Sequence, residues 1–150
     1  MKIRIRSGQT AGKAAAIFSL LFQLIVFISF SSAEDVLIIA NKDVPVDSLS
    51  KNEIRGIFLG EKIKWDNDSK ITFVILKTEV HDLFLKEYLG NTAAQYQNYW
   101  KKMVFTGKSK SPKSFKDAES LMDYVAETGG AVAYLPASAY NDKVKIISVK

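Results

Sequence analysis

The stretch SLSKNEIRGIFLGEKIKWDN, Ser48 to Asn67, contains a helix with both of its ends marked. Ser50 and Glu53 stand three residues apart as a capping box, in which each side chain satisfies a backbone N–H that the first helical turn leaves unpaired. Leu49 and Ile54 flank the cap as a hydrophobic staple, and Ile54, Ile57 and Phe58 share one apolar face. Gly60 supplies the left-handed residue that stops the helix. Beyond it, Glu61 to Asn67 forms a turn in which Trp65 folds back onto the helix end. Asp66-Asn67-Asp68-Ser69 gives turn chemistry before the next apolar run.

Working outward, the same grammar recurs. Upstream, DVLIIA is a short branched apolar run that reads as a strand buried on both faces. Downstream, KITFVIL reads as a strand, and Thr78 is placed as the N-cap of a helix carrying Val80, Leu83, Phe84 and Tyr88 as far as Gly90. Thr92 and Gln95 form a second capping box, opening a helix with Tyr96, Tyr99, Trp100, Met103 and Val104 as an aromatic stripe. Aromatic residues at that spacing predict core packing, and both tryptophans are expected to be buried with their indole N–H groups hydrogen-bonded. The segment KSKSPKSFK, Lys108 to Lys116, has four lysines and no acid and reads as a solvated loop. Ala118, Leu121, Met122 and Val125 mark a fourth helix ending at Thr128-Gly129-Gly130, after which AVAYLP and KVKIISV read as strands. Strands alternating with helices, joined by crossovers long enough for parallel pairing, predict an α/β domain with a mixed, mostly parallel sheet and flanking helices.

Residues 1–33 read differently. Lys2, Arg4, Arg6 and Lys13 form a basic lead, Ala14 to Phe30 is an apolar run broken only by Ser19, Gln23 and Ser29, and Ser31-Ser32-Ala33 fits a cleavage site. This pattern predicts a signal peptide removed after Ala33 and an exported, periplasmic domain over residues 34–150, with an uncleaved N-terminal anchor as the alternative. Four of the 21 basic residues fall in that leader, leaving 17 against 16 acids. A balance so near zero gives no support for nucleic acid as a partner.

Composition also excludes several chemistries. With no cysteine and only His81, there is no disulfide framework and no soft-metal ligand set, so no metal or cofactor is expected. No Gly-x-Ser-x-Gly elbow is present, and Gly129-Gly130 precedes a strand, the wrong order for a phosphate-cradling loop. The residues point to a non-enzyme. His81, on the first turn of its helix, reads as a surface residue.

In order along the chain, SLSKNEIRGIFLGEKIKW, a strand with a capped helix ending EYLG, YWKKMVFTGK and TGGAVAYLP resemble one lobe of the periplasmic phosphate-binding proteins of ABC transporters. The short single-lobe phosphate-binding-like proteins are the nearest in kind. The resemblance covers nearly all of residues 34–150 and implies one lobe of a type-2 periplasmic-binding-protein fold. It further implies that a small oxyanion such as phosphate binds at the start of the helix after the second strand, here Lys77, Thr78, Glu79, Val80 and His81. Helix N-termini suit that task because free N–H groups and the positive end of the dipole face the anion. The family's upstream arginine is replaced by Lys77, and Glu79 sets a carboxylate near the site, so the expected site is degenerate. Two functions follow from the resemblance: solute binding with delivery to a transporter or porin, or a module that has lost its ligand and docks on a membrane transporter, porin or sensor.

Overall fold

In the computed structural model of this chain, which describes residues 34–150, the caps read from the sequence start their helices. The signal-peptide expectation for residues 1–33 lies outside the described residues. Helix α1, Lys51–Phe58, opens on Ser50, whose hydroxyl accepts the Glu53 N–H while Glu53 accepts the Ser50 N–H at 2.8 Å. It closes with Gly60 at φ +73°, the Gly60 N–H donating to Ile57 and the Glu61 N–H to Gly56. That pair of bonds is a Schellman motif. A side chain at Gly60 is doubly excluded, since a Cβ there would lie 2.9 Å from the Trp100 ring.

The aromatic stripe has a task beyond filling space. Helix α2, Glu79–Phe84, runs into a single π-helical segment, Leu85–Leu89, and helix α3, Ala93–Phe105, starts at the Thr92–Gln95 box. From α3, the Tyr96 hydroxyl donates to the Phe58 carbonyl at 2.8 Å and the Tyr99 hydroxyl to the Leu59 carbonyl at 2.6 Å. Two carbonyls that the end of α1 leaves unpaired are thus satisfied by a neighbouring helix. Sequence spacing overstates the stripes in two places: Leu83 and Val104 are 44% and 45% exposed. Leu83 lies on the turn before the π segment, off the face on which Val80, Phe84, Leu85, Tyr88 and Leu89 are buried. Val104 lies in the last turn of α3, beyond the packed layer.

Six strands form one sheet in the order β2-β6-β1-β5-β3-β4, made of β1 (Val36–Ala40), β2 (Ser48–Leu49), β3 (Thr72–Leu76), β4 (Lys113–Phe115), β5 (Ala131–Pro136) and β6 (Lys145–Val149). The ladders β2–β6, β3–β4 and β3–β5 are parallel, whereas β1 pairs antiparallel with both β5 and β6. Five strands therefore share one direction and β1 alone opposes them, because the turn after Ala40, closed by Val44 N–H to Asn41 O, reverses the chain. The architecture is α/β with a mixed, mostly parallel sheet, as the alternation predicts. Two short strands were not legible: β2, and β4, which lies inside the lysine segment read as a loop. Beta pairing there is supplied by the neighbouring β3 rather than by local apolar residues.

Side chains alternate across the sheet and bury both faces. On one face, Tyr134 of β5 stacks on Phe84 at 3.8 Å between centroids and meets Phe58, while Phe73 meets Trp100. Helix α4, Ala118–Glu127, packs on the other, where Leu121, Met122 and Val125 are buried. The Asn41 side chain ties its end to β1 by donating to the carbonyls of Val125, Ala126 and Thr128. Gly130 at φ +71° lets β5 pass against Lys70, whose carbonyl would sit 2.2 Å from a Cβ. Both tryptophans are buried, and Trp65 donates to the Gly130 carbonyl at 3.0 Å. The Trp100 indole N–H, expected to be paired, has no protein acceptor. No helix among the described residues is long and apolar enough to cross a membrane.

Candidate functional site

Beyond Leu76 the chain leaves the sheet through Lys77 and Thr78 and turns into α2. The Lys77 N–H still pairs with Phe115, the Thr78 N–H donates to Leu76 at 3.0 Å, and the His81 N–H donates back to Thr78 at 3.0 Å. Thr78 holds the N-cap position with extended backbone, but its hydroxyl makes no capping bond. The sequence leads one to expect three or four open N–H groups with the threonine side chain closing one. Instead, the main chain closes the turn itself and the N–H groups of Glu79 and Val80 have no protein acceptor among the described residues.

A cleft of about 600 Å³ opens at this point, at the carboxyl end of β3. Ligand crevices of α/β sheets characteristically form there. One wall is Lys77, Thr78, His81 and Asp82; the other is α3, with Tyr96, Gln97, Trp100 and Lys101; Ser111 and Pro112 complete the rim. Of the five residues assigned to the site from the sequence, Lys77, Thr78 and His81 line the cleft. The Glu79 side chain is exposed and outside it, and the Val80 side chain is buried in the core, so these two bring only their N–H groups.

His81 is half-buried, not the surface residue that its position suggests. Its Nδ1 lies 2.5 Å from the Tyr134 hydroxyl, its ring stacks over Tyr134 at 13°, and Tyr96 meets it edge-on. That hydroxyl also accepts the Leu76 N–H at 3.3 Å. The reason is topological: β3 and β5 pair only at Thr72 and Phe73, after which Leu76 has no ladder partner on that side. The hydroxyl can also donate to the Leu76 carbonyl at 3.5 Å, so which of His81 Nδ1 and Tyr134 donates follows the imidazole tautomer. Burial pushes the His81 pKa down, Asp82 opposes the shift and Lys77 adds to it. Burial likewise holds the hydroxyls of Tyr96 and Tyr134 above the ordinary tyrosine range, so both remain protonated donors.

The charges in the cleft wall are therefore Lys77, Lys101 and Asp82. Sequence reasoning passed over Lys101, Gln97 and Asp82. Gln97 and Lys101 are one turn apart on α3, a signal that the aromatic stripe beside them obscured. Arg55, the only arginine in residues 34–150, donates Nη1 to the Leu89 carbonyl and takes no part in the cleft. No group of three acidic, histidine or cysteine side chains among the described residues is placed to hold a metal.

The fold has clear counterparts among solved structures. A phosphate ABC transporter substrate-binding protein from Clostridium perfringens, crystallised with bound phosphate, matches with a TM-score of 0.62 at 20% identity over 77% of this chain and 45% of that one. PstS from Borrelia burgdorferi matches with a TM-score of 0.61 at 14% identity over 78% of this chain and 47% of its own. An ABC-type phosphate transport receptor from Vibrio cholerae matches with a TM-score of 0.54 at 17% identity over 77% and 46%. The chain thus has the fold of one lobe of a periplasmic binding protein and spans under half the length of each of these structures. No family model matches it, and no curated protein does.

Proposed function

We propose that this protein is an exported solute-binding-like module that takes a small oxyanion of the phosphate class, weakly, in the cleft at the carboxyl end of β3. One observation carries this reading: two unpaired N–H groups, Glu79 and Val80, sit between β3 and α2 beside a cleft whose walls supply Lys77 and Lys101. The anion takes the N–H groups and the Thr78 hydroxyl, left free by the absence of a capping bond, while the lysines balance its charge. Asp82 in the same wall and Glu79 at the helix start lower affinity, and neutral His81 adds no positive charge. Binding weaker than about 1 μM follows.

The test is calorimetry with inorganic phosphate, using sulfate as competitor. Lys77→Ala and Thr78→Val weaken binding and Glu79→Gly strengthens it. Tight binding that none of these substitutions alters would place the site elsewhere. A second reading is favoured by the commitment of Arg55 to Leu89 and by Asp82 in the cleft wall: a module that has lost its ligand and docks on a membrane transporter, porin or sensor. Absence of phosphate binding even in Glu79→Gly selects it. In both readings the protein has no catalytic role.

A further inference from the structure

The charge of this molecule is unevenly distributed. From Tyr88 to Lys116 there is no acidic residue, whereas Lys101, Lys102, Lys108, Lys110, Lys113 and Lys116 all fall within that stretch. All six are exposed, and none forms an ion pair among the described residues. At the centre of the sequence run, where α3 ends, Phe105 is 92% exposed beside Val104 at 45%. The ring is not on a loose loop. Gly107 at φ +70°, with Gly107 N–H to Val104 O and Lys108 N–H to Met103 O, locks the helix end in the same Schellman form that closes α1.

We propose that this tip is a membrane-docking element, with Phe105 entering the interface of an anionic lipid surface and the lysines on either side contacting its headgroups. Charge complementarity identifies the occupant as anionic, since the stretch of sequence on both sides of Phe105, from Tyr88 to Lys116, is basic and free of acids. The shape of the tip favours lipid over an acidic protein face. Protein hot spots lie in packed patches that neighbouring residues seal from water, whereas a lone ring projecting from a rigid end penetrates a soft interface without needing a preformed pocket. Aliphatic stems of the lysines can lie along that interface with their ammonium groups at headgroup level.

The absence of cysteine allows a single reporter to be placed at the tip. Thr106→Cys in the full chain is labelled with a polarity-sensitive fluorophore and mixed with vesicles, either of phosphatidylcholine alone or with phosphatidylglycerol as one part in three. The basic lead before the N-terminal apolar run also favours the anionic vesicle but is common to all variants, so the difference between variants on that vesicle reports the tip. The expected result is a blue shift with phosphatidylglycerol only, reversed by high salt. Replacing Lys108 and Lys110 with glutamine should weaken that response about fivefold for each charge removed. Phe105→Ser should weaken it about tenfold. These sites are exposed, so unchanged melting temperatures confirm that the variants are folded. Equal signals on the two vesicles, no signal on either, or indifference to the lysine or Phe105 substitutions would overturn the proposal; loss of lipid response with retained binding to a polyglutamate peptide would transfer the surface to an acidic protein partner.

Discussion

At the residue scale, the most informative group is the one histidine. Its Nδ1 meets the Tyr134 hydroxyl, which also accepts the Leu76 N–H, in surroundings whose burial disfavours a charged ring. Because the folded-state pKa lies below the ordinary value of 6.5, the unfolded chain binds the proton more readily. The stabilising contribution is complete above pH 6.5 and is lost as pH falls through the lowered folded value. Melting temperature should therefore decline on acidification below about pH 6.5, and His81→Gln should flatten that decline. An identical slope in the variant would remove His81 from the account. None of this was legible in the sequence. Position on a first helical turn suggests exposure, and only the splay of β3 from β5, a tertiary fact, brings Tyr134 to the ring.

At the scale of elements, helix boundaries were the clearest text. Capping boxes and stop glycines act within four or five residues, so local chemistry suffices to place them, as Ser50–Glu53, Thr92–Gln95 and Gly60 demonstrate. Thr78 marks the limit of that reasoning: it has the residue type and the position of a cap without the bond. The difference has a measurable consequence. Ser50→Ala should cost about 1 kcal/mol in denaturant unfolding, the usual loss for a working cap, while Thr78→Val should cost close to nothing. A comparable loss at both positions would mean that the Thr78 hydroxyl caps in solution and is not free for a ligand. The cleft itself was half legible. The stretch from Lys77 to His81 could be placed because it follows a strand and starts a helix, but the opposing wall on α3 is contributed by residues whose dominant pattern is a buried stripe. Strand β4 was missed because exposed lysines and a proline carry no strand signal, and its pairing is dictated by β3.

For the whole molecule, the alternation of strands and helices predicted the class of fold, while the direction of β1 required the register of its partners. That strand sits between β5 and β6, with Val36 opposite Pro136 and Ile38 opposite Ile147. Its two neighbours are thus the last two strands in order among the described residues. Until they arrive, β1 has both edges open, and the apolar residues Ile38 and Ile39 have no finished sheet to enter. Stable structure consequently waits for β5 and β6, and folding of this kind, dominated by distant pairings, is slow. Chains arrested before Lys145 should remain sensitive to protease, whereas chains extended past Lys150 by a linker long enough to clear the ribosome should become resistant. Resistance in the shorter chains would show that β1 finds another partner. Under the proposed export, a sheet whose first strand waits for β5 and β6 acts as a timer: it keeps residues 34–150 pliable while they are threaded in extended form, and locks them once both strands have arrived.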